Sequence, residues 1–155
     1  MAARHDMAMV MTLAALLAGC ETVPPQTPAA ELTSLKTAAD CSSSLPTFGR
    51  FLYPGQSPRD AEYIPPNGSM VLRNDGGWCV IRNVSTFNGS VGVPDMGLET
   101  PPQHGEVKLG HVGSTLWIAY RPLPGFSGGD SFVVRQLSPQ PWDVPVRVIV
   151  AGRPA

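Results

Sequence analysis

PPQHGEVKLGHVGSTLWIAYRPLPGFSGGDSFVVR, residues 101–135, alternates apolar and polar side chains in runs that turns rich in Gly and Pro separate. In the middle run the residues on one face are apolar: Leu116, Ile118 and Tyr120. The residues on its other face are Trp117, Ala119 and Arg121. A period of two is typical of a β-strand that buries one face. This stretch therefore predicts short strands and no helix.

The chain on either side continues the same period. Residues 70–73 and 78–83 alternate around the turn NDGG, whose residue types supply the positive φ of tight turns, so we predict a hairpin there. Residues 143–150 alternate valines with other residues, and Pro145 within that run predicts an edge strand. About seven short strands without a segment of helical period predict an all-β fold, an antiparallel sandwich.

The Gly, Pro and aromatic residues in 101–135 are spaced in a regular order. The order begins with the pattern P-x-x-G-x-V and continues, further along the chain, with Y-x-P-x-x-G-F-x-G-x-D-x-F. The matching positions are Pro102, Gly105, Val107, Tyr120, Pro122, Gly125, Phe126, Gly128, Asp130 and Phe132. This order resembles the repeat signature of bacterial immunoglobulin-like and cadherin-like surface domains. The resemblance implies an immunoglobulin-like sandwich in which these residues build strands and a tight loop, not a catalytic set. Unlike those repeats, the domain occurs once, and the calcium linker motif of cadherins has no counterpart.

Composition excludes one class of partner and bounds the fold. The 155 residues carry a formal net charge of −1, so the basic excess that neutralises phosphates is missing and we expect no nucleic-acid partner. The chain has 17 Pro and 16 Gly, but hydrophobic residues make up 43% and charged residues 15%. We therefore interpret the Pro and Gly as turns between strands.

The N-terminus predicts export. Residues 7–18 (MAMVMTLAALLA) are apolar but shorter than the ~20 residues that span a bilayer, which favours a signal peptide. Ala18, Gly19 and Cys20 resemble the lipobox of bacterial lipoproteins, in which the cysteine is acylated and becomes the first mature residue. The resemblance makes Cys20 the lipidation site. Glu21, where an Asp would retain a lipoprotein in the inner membrane, implies the outer membrane, with the protein facing the periplasm.

We divide the chain into four segments on these patterns. They are a signal peptide (1–19), a lipidated N-terminus and flexible tether (20–40), an irregular lead-in (41–66) and the immunoglobulin-like sandwich (67–152). Leu32, Leu35 and Ala39 would line one side of a short helix, but the stretch is polar enough that we expect it to stay unfixed.

Cys41 and Cys79 are predicted to form a disulfide, because two cysteines besides Cys20 in an oxidising compartment favour pairing. Closing this loop would stabilise the fold by about 4 kcal/mol on the chain-entropy estimate. A reactive thiol or a metal ligand would need a CxxC spacing or a nearby His, and neither cysteine has one.

One loop is the candidate binding site: Pro124, Gly125, Phe126, Ser127 and Gly128. We expect its glycines, with Gly129, to meet backbone angles that a Cβ forbids, and Phe126 to plug the core. The alternative is that Phe126 is an exposed wedge. A phosphate loop is not indicated, because the loop leads into a strand and lacks a Lys-Ser/Thr pair.

Other constellations are weaker. His104 and His111 flank one predicted strand, and Met70 and Met96 would add soft ligands for copper. Residues seven apart on a strand, however, lie ~23 Å apart. No GxSxG elbow places a serine nucleophile, so we predict no enzyme activity and no catalytic residue, metal or cofactor.

These observations predict a lipid-anchored envelope protein acting as a non-catalytic binding or structural module. Its expected partners are the membrane, through the lipid, and an envelope protein. The alternatives are an inhibitor or accessory subunit of an envelope enzyme, and a periplasmic copper-handling protein. Trp117 and Trp142 are candidate contact residues. Trp117 lies on the face opposite Tyr120, so one of these two side chains must face out or be covered by another part of the chain. Residues 45–60 are the candidate for that cover.

Overall fold

The computed structural model describes residues 26–45, 49–51, 62–64, 67–84, 86–87, 90–91, 95–137 and 142–152. They form α1 (Ala29–Thr33), β1 (Ser42–Ser44), β2 (Gly49–Phe51), β3 (Glu62–Ile64), β4 (Gly68–Arg73), β5 (Cys79–Val84), β6 (Thr86–Phe87), β7 (Ser90–Val91), β8 (Met96–Thr100), β9 (Gly105–Val112), β10 (Thr115–Pro122), β11 (Gly128–Gln136) and β12 (Trp142–Ala151). The all-β prediction is confirmed. Within these ranges no helix is long and apolar enough to cross a bilayer. The predicted signal peptide and Cys20 lie outside the described residues.

Two main sheets contain eight of these strands. The five-stranded sheet has the order β1-β4-β12-β11-β8, and the three-stranded sheet has the order β5-β10-β9. Two further ribbons pair β2 with β3 and β6 with β7. Neighbouring strands are antiparallel except β4 and β12, which run parallel. The architecture is consistent with the predicted β-sandwich.

The core lies between the two main sheets, on the faces that the alternation predicts. Its side chains, each at most 3% exposed, include Met70, Leu72, Cys79, Ile81, Leu116, Ile118, Tyr120, Phe132, Val134, Val144, Val146, Val148 and Val150. Burying a large apolar side chain contributes roughly 1.5–3 kcal/mol. The alternating valines of β12 therefore contribute much of the stability of the five-stranded sheet.

The hairpin predicted at NDGG is wrong. β4 belongs to the five-stranded sheet and β5 to the three-stranded sheet, so the chain crosses between sheets after β4. Residues 36–38 lie beside Trp78: the Trp78 N–H donates to Lys36 O at 2.8 Å and the Ala38 N–H to Trp78 O at 2.9 Å. A Cβ on Gly77 would stand 2.5 Å from the Ala38 backbone, so this glycine permits the close approach.

The edge position predicted for the last strand is also wrong, because β12 lies between β4 and β11. β12 pairs with β11 from Trp142 to Val150, whereas its pairing with β4 begins only at Val146. Pro145 thus precedes the residues that pair with β4. Its missing N–H interrupts no pairing on that side, which explains why a central strand tolerates it.

Residues 26–39, which we call the docked segment, pack on the outer face of the three-stranded sheet. This finding differs from the flexible tether expected for that stretch. Leu32 of α1 is 0% exposed, and Leu35 packs against Trp78, Val80 and Ala119. The outer face of β5 and β10 is apolar here, and two leucines three residues apart cover it.

The predicted disulfide between Cys41 and Cys79 is present, with a Cα–Cα distance of 5.2 Å. It joins the chain just after the docked segment to the first residue of β5, which is 0% exposed. Cys41 leads into β1, which pairs with β4, so the start of the predicted lead-in is part of the large sheet.

Candidate functional site

The predicted binding loop begins with a tight turn. The Phe126 N–H donates to Leu123 O at 3.1 Å, and Gly125 has a φ of +80°. Pro at the second position and a left-handed Gly at the third are typical of a type II turn. From across the molecule, Asn74 Nδ2 donates to the carbonyl oxygens of Leu123 and Phe126, each at 2.8 Å. The Asn74 side chain therefore fixes the turn to the end of β4.

Phe126 packs into this end of the sandwich. Its half-buried ring contacts the core and stacks on His104, with centroids 4.3 Å apart and planes 2° from parallel. Gly128 has a φ of +129°, so it and Gly125 need the freedom of glycine, whereas Gly129 does not adopt a positive φ. The strain expected at Gly129 is therefore wrong. The large hydrophobic side chain exposed beside the loop is Leu123, at 50%, whereas Phe126 is half-buried.

Asp130, the acidic residue of the motif, accepts four hydrogen bonds. Its Oδ1 accepts from the N–H groups of Ser131 (2.9 Å) and Gln103 (3.1 Å). Its Oδ2 accepts from the His104 N–H (2.9 Å) and the Tyr120 hydroxyl (3.0 Å). Burial alone would raise the pKa of Asp130, but the bonds from Ser131, His104, Tyr120 and Gln103 lower it below its ordinary value.

Tyr120 joins this carboxylate to the core. The side chain is 0% exposed, and burial together with the hydrogen bond and charge of Asp130 raises the pKa of Tyr120 far above its ordinary value. Its ring lies against Gly105, where a Cβ would stand 2.3 Å from the ring. Three residues of the motif thus hold the start of β9 against β10 and β11.

A groove of about 590 Å³ opens beside the fixed turn, and we call it the end groove. It is lined by Asn74, Asp75, Gly76, Glu106, Arg121, Pro122, Leu123, Pro124, Gly125, Phe126 and Gly152. Three of the five predicted loop residues belong to it, whereas Ser127 and Gly128 lie outside its lining. One wall is apolar, formed by residues 122–126, and the other is polar.

The polar wall is held in place by its own contacts. Arg121 forms an ion pair with Glu106, and its guanidinium lies 4.7 Å from the centre of the Trp78 ring. Asp75 accepts the N–H groups of Ala39 (3.0 Å) and Gly77 (2.9 Å), and these bonds lower the pKa of Asp75. These charged groups are therefore oriented before any ligand arrives.

The outer face of the three-stranded sheet carries Trp117, and Tyr120 lies on the opposite face, as the alternation predicts. Trp117 is half-buried there, next to Trp78, Val80 and Ala119, and Arg82 lies 4.4 Å from the centre of its ring. Leu35 of the docked segment packs against this outer face and covers part of it. From the sequence, residues 45–60 were expected to cover it, and most of those residues lie outside the described ones. The Trp142 side chain also lies outside the description.

The two histidines considered for copper lie at opposite ends of β9. His104 precedes β9 and His111 lies near its other end. Met70 and Met96 are 1% and 3% exposed and pack in the core. Across the described ranges, no three His, Cys, Asp or Glu side chains group closely enough to hold a metal ion.

Sequence reasoning missed Asn74, Glu106 and Arg121 as residues of the groove. Asn74 was assigned to a hairpin turn, and the other two to the polar face of a strand. No protein family, curated protein or solved structure matches this chain.

Proposed function

We propose that this protein is a lipid-anchored envelope protein whose immunoglobulin-like sandwich binds another protein through the end groove, without catalysis. The observation that carries the proposal is a groove of about 590 Å³ with a fixed rim beside the exposed Leu123. A rim that Asn74 and Asp130 already hold loses little conformational entropy on binding. Acylation of Cys20 would hold the domain at the outer membrane, facing the periplasm.

The lining favours a protein partner over a small molecule. Leu123 and Pro124 offer apolar surface, while Arg121, Glu106 and Asp75 offer charged groups next to it. Apolar residues bordered by polar ones, with Arg among them, are typical of protein interfaces. The groove fits an extended segment that brings an apolar side chain to Leu123 and polar groups to Arg121.

The state of the ionisable groups supports a non-catalytic role. Asp130 is engaged by four donors, Tyr120 is fully buried, and the His104 ring stacks on Phe126. General acid–base catalysis requires a group within reach of a substrate proton. These three groups hold strands and the loop together, and none of them lines the groove. The carboxylates that do line it are engaged, Glu106 in the ion pair with Arg121 and Asp75 by the N–H groups of Ala39 and Gly77.

A second candidate function, inhibition of an envelope enzyme, is favoured by Leu123. This side chain is 50% exposed on the first residue of a turn that Asn74 fixes. An exposed apolar side chain on a rigid turn suits insertion into the cleft of an enzyme. In this version the wedge is Leu123, while Phe126 supports the loop from beneath.

The anchoring part is tested with Cys20→Ser in the native host. We expect the unaltered protein to fractionate with membranes and to carry the mass of acyl chains. The variant should be released or remain an unprocessed precursor. Membrane retention and processing identical in both proteins would contradict the lipoprotein proposal.

The binding part is tested by photo-crosslinking in intact cells. A crosslinking residue at Pro124 should give a discrete adduct, and Leu123→Asp should abolish it. Ile149→Asp is the matched control, because Ile149 is 59% exposed on the other main sheet. Mass spectrometry of the adduct separates the two candidates, since an enzyme joined through its active-site cleft indicates inhibition. An adduct that survives Leu123→Asp would contradict binding through the groove.

A further inference from the structure

The docked segment enters at one edge of the sandwich. Gln26 Nε2 donates to Met96 O in β8, and the Thr27 N–H donates to Leu109 O in β9 at 2.7 Å. β8 and β9 are the edge strands of the two main sheets on that side. The opposite edge carries β1 and β5, and the disulfide joins Cys41, the residue before β1, to the first residue of β5.

Residues of the sandwich contact this segment closely at several points. A Cβ on Gly110 would stand 2.4 Å from Thr27 O and 2.9 Å from Leu32 Cδ1, so only a glycine admits the segment there. Glu31 forms an ion pair with Lys108, and Leu32 is 0% exposed. At the far end of the segment, the Ala39 N–H donates to Asp75 at 3.0 Å. Contacts thus hold the segment along its whole length.

Docking shortens the connection between the domain and the proposed lipid. Five residues separate Cys20 from Gln26. Six Cα-to-Cα steps reach at most about 22 Å. If the segment were free up to Cys41, 21 steps would reach about 75 Å. The contacts of the docked segment therefore remove about two thirds of the available reach.

We infer that the docked segment holds the sandwich against the membrane, with the β8 and β9 edge toward the lipid and the β1 and β5 edge away from it. This inference rests on the proposed acylation of Cys20. The five-stranded sheet has four strand spacings between β8 and β1, or about 19 Å. A partner of the end groove then has to bind close to the lipid surface, because the remaining tether adds at most about 22 Å to the width of the domain.

The experiment measures the height of two dyes above a vesicle surface by energy transfer to labelled lipids. An azide-bearing residue replaces either Thr100 in β8 or Ser42 in β1, both exposed, and carries the dye. The protein comes from its host, or is the chain from Cys20 onward with a maleimide lipid on Cys20, the one thiol outside the disulfide. We expect the Thr100 dye to lie closer to the lipid, by up to about 19 Å.

Undocking should abolish that difference. Gly110→Val blocks the place of Thr27, and Leu32→Asp expels the segment without altering a strand. Both should raise the average height and leave the Thr100 dye no closer to the lipid than the Ser42 dye, because the undocked chain is free up to Cys41, next to Ser42. Gly129→Val is the matched control, because nothing lies within 4 Å of a Cβ there and its φ is not positive. It should keep the difference.

The two protein preparations separate the possible failures. Host protein without an acyl mass would contradict the proposed function, while the maleimide-anchored chain still measures the effect of docking. Equal dye heights in the unaltered anchored chain, or heights that Leu32→Asp leaves unchanged, would overturn the inference.

Discussion

Replacing Asp130 with Asn tests whether the acidic residue of the motif is a structural hub. Each carboxylate oxygen accepts two hydrogen bonds, from Gln103 and Ser131 on one side and from His104 and Tyr120 on the other. The amide of Asn has only one acceptor oxygen. In either orientation its NH₂ group therefore faces two of the four donors, and these two donors lose their acceptor. Losing two bonds to a charged group costs about 2–4 kcal/mol after partial compensation by water. We therefore expect Asp130→Asn to lower the free energy of unfolding by this amount at pH 7.

The effect should depend on pH in a defined direction. The pKa of Asp130 is lowered in the folded state, so its stabilisation is fully present above the ordinary carboxyl pKa near 4 and is lost as the pH falls through the lower folded value. A protonated carboxyl resembles the amide, with one acceptor and one donor. The difference between the two proteins should therefore shrink below about pH 4.

Urea unfolding of both proteins at pH 7 and pH 3 measures this difference. Asp143→Asn is the control, because Asp143 is an exposed carboxylate whose hydrogen bond from Arg135 lowers its pKa. Exposed ion pairs contribute little, so that variant should unfold like the unaltered protein. Equal stability of Asp130→Asn and the unaltered protein at pH 7, or a difference of the same size at both pH values, would refute the structural role.

Phe126→Ala removes a half-buried ring that stacks on His104, and we expect a loss of about 2–4 kcal/mol in thermal unfolding; an unchanged melting temperature would identify Phe126 as the exposed wedge instead. Cys79→Ala should lower stability by about 2–5 kcal/mol, whereas two titratable thiols in the unreduced, unfolded protein would rule out the disulfide. Gly105→Ala should cost about 1–3 kcal/mol because its Cβ meets the Tyr120 ring, and Gly129→Ala should stay within about 0.5 kcal/mol; equal melting temperatures for these two variants would contradict the tight contact.

Local patterning predicted which face of each strand is buried, because that choice depends only on neighbours along the chain. Tyr120 and Trp117 were correctly placed on opposite faces of β10, since their positions differ by an odd number; the structure shows that Tyr120 is the one in the core. The loop at Gly125 was predictable for the same reason, as Pro and Gly determine a turn within four residues. The disulfide followed from the cysteine count.

The choice of strand partners was not predictable from these local signals. NDGG indicates that the chain reverses, but it carries no information on whether β5 lies beside β4 or across the core from it. Docking of residues 26–39 was missed because two leucines three residues apart do not by themselves predict a contact. They do so only when the apolar face of Trp78 and Val80, on which they pack, is known. The end groove forms where turns from separate parts of the chain lie side by side, so no single stretch of sequence predicts it.

The central place of β12 determines when the large sheet can close. β12 pairs with β4 on one side and β11 on the other, and it leaves a ribosome or a membrane pore after the four other described strands of this sheet. Until then β4 and β11 have unpaired edges, which are prone to pairing with other chains. Pairings between distant parts of a chain also form slowly. Loss of β12 would thus divide the sheet into two parts, and nascent copies need protection from one another until this strand has emerged.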